Sequence, residues 1–140
     1  MWDGLPWRAS LEVQELLYRL RALLEPLELP SQVIHGDLTG NVLFSSGRAP
    51  AVIDFVPYWR PREFAAAIFV ADAMLWERAS AKLADEAGLD HVFWQLLVRA
   101  ALRRLLVLDI HYQRGEVAKR ELNQVARYLR FTNWLESLKR

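Results

Sequence analysis

Cysteine is absent from the 140 residues, which excludes disulfide staples, thiolate zinc sites and a cysteine nucleophile, and leaves metal binding to oxygen or histidine. That absence is compatible with a cytoplasmic protein, the location we expect. An excess of charge of one sign is missing as well. Eighteen basic residues against 17 acidic ones leave a net charge of +1, so composition makes no case for a nucleic acid or an acidic membrane surface as partner. No apolar run is long enough for a bilayer: the longest nearly uncharged stretch, Phe64 to Trp76, is too short and contains Asp72. The opening M-W-D-G-L-P-W-R lacks both the basic start and the apolar core of a signal peptide. Glycine is sparse, its six residues never forming G-x-G-x-x-G, and lysine is confined to Lys82, Lys119 and Lys139. No internal repeat or low-complexity tract stands out.

What is present suffices for one globular domain over residues 1–140: hydrophobic residues make up 53% of the chain, and a chain of this length buries on the order of 70% of its unfolded surface. Polar residues able to do chemistry concentrate in one stretch, V-I-H-G-D-L-T-G-N-V-L-F-S-S-G-R-A-P-A-V-I-D-F, from Val33 to Phe55. Val42–Phe44 and Ala51–Phe55 read as two strands of a hairpin, joined by the turn-forming Ser45-Ser46-Gly47-Arg48-Ala49-Pro50. Antiparallel pairing brings Asn41 and Asp54 close, with Asp37 just upstream in a glycine-flanked loop. Two carboxylates held close repel each other unless a cation sits between them, and with the amide they make an all-oxygen donor set that invites a hard divalent ion, Mg²⁺ first.

These residues carry a resemblance. His35-Gly36-Asp37 followed by Asn41, and then Ile53-Asp54-Phe55, is similar to the catalytic loop and metal-binding motif of the aminoglycoside phosphotransferase family, part of the kinase-like superfamily. The resemblance implies an α+β fold, mainly α: a kinase-like C-terminal lobe made of a helical bundle, a catalytic loop and a short β-hairpin. It also implies ATP and Mg²⁺ as cofactors and phosphoryl transfer to a hydroxyl of a small-molecule substrate. By residue, it makes Asp37 the acceptor of the hydroxyl proton, Asn41 and Asp54 the Mg²⁺ ligands, and His35 a brace of the loop. Trp59 and Arg60, just past the motif, fall on its substrate side, while the plainer reading has Tyr58 and Trp59 plugging the core and the arginines solvated. The family pattern places four residues between the Asp and the Asn, and Leu38, Thr39 and Gly40 make three. The shortened H-G-D-L-T-G-N string resembles a bacterial branch of the family, and it keeps its reach only if Gly40 takes an unusual backbone conformation.

The remainder reads as support. Ser10 can cap a helix running to about Glu25, with Leu11, Leu16, Leu17, Leu20, Leu23 and Leu24 as its apolar stripe, and Pro26 to Ser31 lead irregularly into the site. Residues 1–32 are thus a lead-in helix and linker, 33–55 the catalytic loop and metal hairpin, and 56–140 a helical subdomain. Prolines exclude regular structure at the start of 56–62. A helix apolar nearly all round runs from about Pro61 to Ala87, stopped by Gly88, with Asp72 either bracing the catalytic loop or facing a wet crevice. Asp90 caps a helix from His91 to Gln113, and a last helix spans about Glu116 to Lys139, with Leu122, Val125, Leu129 and Thr132 on its buried side. Arg99 and Arg103 form a solvated basic edge. His91 and His111 are structural, too far apart to share one helical face.

The glycine-rich loop and strand lysine that grip phosphates in kinase-like enzymes are not among these residues. The resemblance therefore covers the second lobe alone, and we expect self-association or a separate nucleotide-gripping partner chain. Two other functions stay open: a noncatalytic kinase-like binding module, and a metal-dependent phosphoester hydrolase built from His35, Asp37, Asn41 and Asp54. A polar hairpin connection, with Asp37 capping a turn and Asp54 paired to an arginine, is the reading without function.

Overall fold

Two short antiparallel pairs, not one, frame the polar stretch in the computed structural model, which describes residues 11–114 and 124–139. In chain order the elements are α1 (Leu11–Arg21), β1 (Gln32–His35), β2 (Val42–Leu43), β3 (Ala51–Val52), β4 (Pro57–Arg60), α2 (Glu63–Trp76), α3 (Lys82–Glu86), α4 (His91–Gln113) and α5 (Val125–Ser137). The architecture is α+β and mainly α. The described residues fall into two units, 25–100 and a second made of 11–24 with 101–114 and 124–139.

In the unit 25–100, β2 and β3 form the expected hairpin in the register Val42↔Val52 and Leu43↔Ala51. Its strands are shorter than the apolar runs suggest, because Asp54 at φ 52° leaves extended geometry. The second pair is a correction: β4 runs through Pro57 and pairs with β1 in the register Gln32↔Arg60, Val33↔Trp59, Ile34↔Tyr58 and His35↔Pro57. Proline is tolerated at the first residue of a strand, where its missing N–H removes no ladder bond, so the prolines bracket a strand instead of excluding one.

Helix α2 buries Phe64, Ala67, Ile68, Val70, Ala71, Asp72, Ala73 and Leu75, as an all-round apolar helix should. Asp72 is fully buried, which rules out a wet crevice. The helix stops at Trp76, well short of Ala87, because Arg78 takes a left-handed φ of 59° while the N–H groups of Glu77 and Ala79 both donate to Ala73 O. Glycine is the residue that takes this conformation without strain. Arg78→Gly should therefore raise stability by about 0.5–1 kcal/mol, a gain offset in part by the looser unfolded chain, readable as a rise in the urea midpoint at unchanged slope. A one-turn α3 follows and ends at Gly88, φ 84°. Asp90 then caps α4, its Oδ1 accepting from Phe93 N at 2.7 Å, and Phe93, Trp94, Leu96, Leu97 and Val98 are buried.

In the other unit α1 packs on α5. Val13, Leu16, Leu17, Leu20 and Leu23 are buried, while Leu11 is 83% exposed and does not belong to the stripe. The proposed Ser10 cap lies outside the described residues, as do 115–123, which include Leu122. The helix ends at Arg21, before Glu25, as Leu23 and Leu24 close short bonds onto Leu20 and Arg21. The buried side of α5 is Tyr128, Phe131, Thr132 and Leu135. Leu129 is exposed and Val125 half-buried, so the face is rotated from the expected one toward the larger aromatic areas. Arg103 is buried and Arg99 half-buried and bonded, so neither forms part of a solvated basic edge.

Arg19 on α1 donates from Nε and Nη2 to both carboxylate oxygens of Glu136, at 2.9 and 2.6 Å, and from Nη2 to Asn133 Oδ1 at 2.5 Å. Its hydrogen bonds hold the Glu136 carboxyl below its ordinary value. A carboxylate depressed in the folded state contributes stability above its unfolded pKa and loses it as pH falls through the folded one. Melting temperature should thus fall slightly more steeply below about pH 4.5 in the wild type than in Glu136→Gln. The pair is solvent-screened and contributes at most about 1 kcal/mol.

Candidate functional site

The site lies wholly within 25–100 and is assembled by main-chain ties between the two strand pairs. His35, at the end of β1, accepts at Nδ1 from the backbone N–H of Asp37 (3.0 Å) and faces Ile53 O through Nε2 (3.2 Å). The amide can only donate and the carbonyl only accept, so Nδ1 is the acceptor and Nε2 the donor. One imidazole thus links the H-G-D turn to the I-D-F segment. Its edge packs against Phe55 with ring centroids 5.4 Å apart.

From Asp37 the loop Leu38-Thr39-Gly40 returns the chain to Asn41 in three residues. Gly40 has φ 79°, a conformation glycine adopts without cost, and Asn41 N donates to Leu38 O at 3.0 Å, closing a tight turn. The Asn41 side chain then donates from Nδ2 to Asp37 O at 2.8 Å. Since a carbonyl needs a donor, this fixes the amide orientation, with Nδ2 on the carbonyl and Oδ1 the remaining acceptor. Thr39 Oγ1 is buried with no partner among the described residues.

Across the hairpin, Ile53 N donates to Asn41 O at 3.0 Å, and Gly36 N to Val56 O at 2.7 Å. Asp54 stands between these two ties, exposed and at a φ of 52°. Asp and Asn enter that region more readily than most residues, yet it costs on the order of 1 kcal/mol and such outliers gather at functional sites. His35, Asp37 and Asn41 therefore share one hydrogen-bonded neighbourhood, and the register that pairs Val42 with Val52 sets Asn41 opposite Ile53, with Asp54 the next residue along. Trp59 and Arg60 lie beyond it on β4. Trp59 is 64% exposed, so it plugs no core, and Arg60 donates from Nη1 to Trp59 O at 2.6 Å.

Sequence reasoning missed the contact of Tyr58 with Gly36, where a Cβ would meet the ring at 2.6 Å. The glycine between His35 and Asp37 was the only signal for it, since a glycine beside a strand often marks a close approach. Around the site, Leu43, Phe44, Val52, Phe55 and Trp59 leave large apolar side chains exposed.

Among the described residues no group of three or more His, Cys, Asp or Glu could hold a metal ion. His91, for its part, pairs with Glu25 at 3.2 Å. The oxygen donors here are Asp37, Asp54 and the Asn41 amide. This set does not suit a resident metal caged by protein alone, but it suits Mg²⁺, which keeps several waters and is held by one or two carboxylates together with substrate phosphates. No helix among the described residues is long and apolar enough to cross a membrane.

Residues 2–58 match the model of the phosphotransferase enzyme family. The matched stretch includes His35, Asp37, Asn41 and Asp54 and ends at Tyr58, before Trp59 and Arg60. No curated protein and no solved structure matches the chain.

Proposed function

We propose that this chain carries the catalytic loop and metal motif of an ATP- and Mg²⁺-dependent phosphotransferase acting on a hydroxyl of a small molecule, in a kinase-like C-terminal lobe. The observation that carries this reading is the Asn41 side chain bonded to the Asp37 carbonyl. It supports a shortened loop that works as a variant of the family loop, with the base and one metal ligand held to each other. Asp37 would take the hydroxyl proton, Asn41 and Asp54 would hold the ion, and His35 braces the loop through its two ring nitrogens. When bound, Mg²⁺ neutralises the charge that develops on the nucleotide phosphates.

Trp59 and Arg60 face the acceptor side, where an exposed indole offers a stacking surface and a guanidinium a charge. The phosphate grips come from a nucleotide-binding lobe, on a longer or separate chain, that covers the exposed Leu43, Phe44 and Phe55. Such an enzyme works where ATP and Mg²⁺ are abundant, in the cytoplasm.

Calorimetric titration with ATP, with and without Mg²⁺, tests the reading beside Asp54→Asn. Affinity should be Mg²⁺-dependent and should drop by about tenfold or more in the variant, since one carboxylate charge a few ångströms from the ion is worth roughly 1–4 kcal/mol near a protein surface. Binding that is indifferent to Mg²⁺, or equal in the variant, would remove Asp54 from the metal.

A further inference from the structure

The ring of Tyr58 lies across Gly36, in the middle of the H-G-D turn. A Cβ at position 36 would meet Tyr58 Cδ2 and Cε2 at 2.6 Å and Cγ at 3.3 Å, and real Cβ atoms essentially never come within 3.0 Å of a neighbour. The ring and a side chain at 36 therefore exclude each other. Neither partner is free to retreat by itself: Tyr58 is opposite Ile34 in the β1–β4 register, and Gly36 N donates to Val56 O. Asp54 lies just upstream of that tie and just downstream of the one from Ile53 to Asn41. Whatever sets the approach of β4 to the turn therefore sets where the Asp54 corner falls relative to Asp37.

We propose that Tyr58 is a positioning residue for the site: seated on Gly36, its ring fixes how closely the strand after Asp54 approaches the H-G-D turn, and so places Asp54 against Asp37 and Asn41. The consequence for ligand affinity rests on the phosphotransferase reading, while the consequence for geometry does not. An alanine at 36 must push the ring off by about 1 Å to reach ordinary van der Waals contact, and the strand moves with it.

Two readouts on the full chain separate these parts: the Cα chemical shifts of Asp37, Asn41 and Asp54 without ligand, and the Mg²⁺-dependent ATP affinity. Gly36→Ala should move the Asn41 and Asp54 shifts and weaken affinity about tenfold, the range seen when residues supporting metal ligands are replaced. In a Tyr58→Ala background, Gly36→Ala should have no further effect, because the clash is gone. If Gly36→Ala does not fold, Tyr58→Ala alone decides, with displaced Asp54 shifts and weakened affinity in a folded chain. A lower melting temperature with the Asp54 shift and the affinity of the folded chain unchanged would overturn the proposal and leave Tyr58 a packing residue. Wild-type protein that binds no Mg²⁺–ATP even with the nucleotide-binding lobe supplied defeats the phosphotransferase reading instead, and the shift measurements still decide the positioning role.

Discussion

Asp37→Asn should abolish transfer of the γ-phosphoryl group from ATP to a hydroxyl acceptor while leaving the loop intact. Two of the loop bonds at this position use main-chain atoms: Asp37 N donates to His35 Nδ1, and Asp37 O accepts from Asn41 Nδ2. Asparagine keeps both and has nearly the same shape, so these ties outlast the loss of the carboxylate charge. A positioned general base contributes roughly 10²–10⁴-fold to rate, and a fall of that size is the expected result. The assay follows labelled phosphate from ATP into a panel of small hydroxyl compounds, with the nucleotide-binding lobe supplied where needed. Magnesium-dependent ATP affinity should change far less than turnover, because Asn41 and Asp54 remain. Turnover within threefold of wild type would exclude Asp37 as the base. Equal loss of binding and turnover would point to a metal role for Asp37, and retained binding with no turnover in the wild type would favour the noncatalytic module.

How much of this was legible beforehand differs between site and scaffold. The hairpin could be read because a turn-forming cluster lies between two apolar runs, and the Asp90 cap and the start of α4 because a capping residue precedes a long periodic pattern. Gly40 marked the one place where a shortened loop could close. The β1–β4 pair could not be read: each strand has four residues, neither alternates cleanly, and the partners are separated by the whole catalytic stretch. Short apolar runs acquire strand identity only from a partner that local pattern does not reveal. The break in α2 was hidden for a different reason. Glu77-Arg78-Ala79-Ser80-Ala81 contains no glycine or proline, and the left-handed turn is placed on an arginine. For α5 the helix was visible, but its buried side depends on whether Tyr128 and Phe131 or Val125 and Leu129 meet the partner helix, which tertiary packing decides. Within the site, the residue types were visible; the bridging by His35 and the seat of Tyr58 on Gly36 depend on β1 and β4 lying side by side.

The entry to that strand pair is held from a distance, and there the largest loss of stability is expected. Residues 22–31 lack helix and strand, so the segment before β1 has few ladder bonds of its own. Gln95 on α4 is fully buried, and its Oε1 accepts both from the backbone N–H of Glu25 at 3.0 Å and from Arg99 Nη1 at 2.6 Å. Arg99 Nη2 donates in turn to Glu25 O at 2.6 Å. Burial pushes the Arg99 guanidinium below its ordinary value, a sign that the charge is partly withdrawn from water and depends on these acceptors. Gln95→Leu keeps the volume and removes the shared acceptor, so the Glu25 N–H loses its partner while Arg99 Nη1 keeps only the main-chain oxygen of residue 95, at 3.0 Å. An unmet buried amide costs about 1–3 kcal/mol, and the weakened bonding of the cation adds to it, so a loss of roughly 2–3 kcal/mol is expected in urea unfolding. Arg99→Met in the same background should recover part of it, because replacing both partners with apolar side chains removes the orphaned charge. A Gln95→Leu variant within 0.5 kcal/mol of wild type would show that water reaches Arg99 and Glu25. The segment before β1 would then owe its place to the packing of Ile34, the β4 ladder and the remaining contacts of Glu25 with Arg99 and His91, and the spacing of the H-G-D turn would depend on Tyr58 all the more.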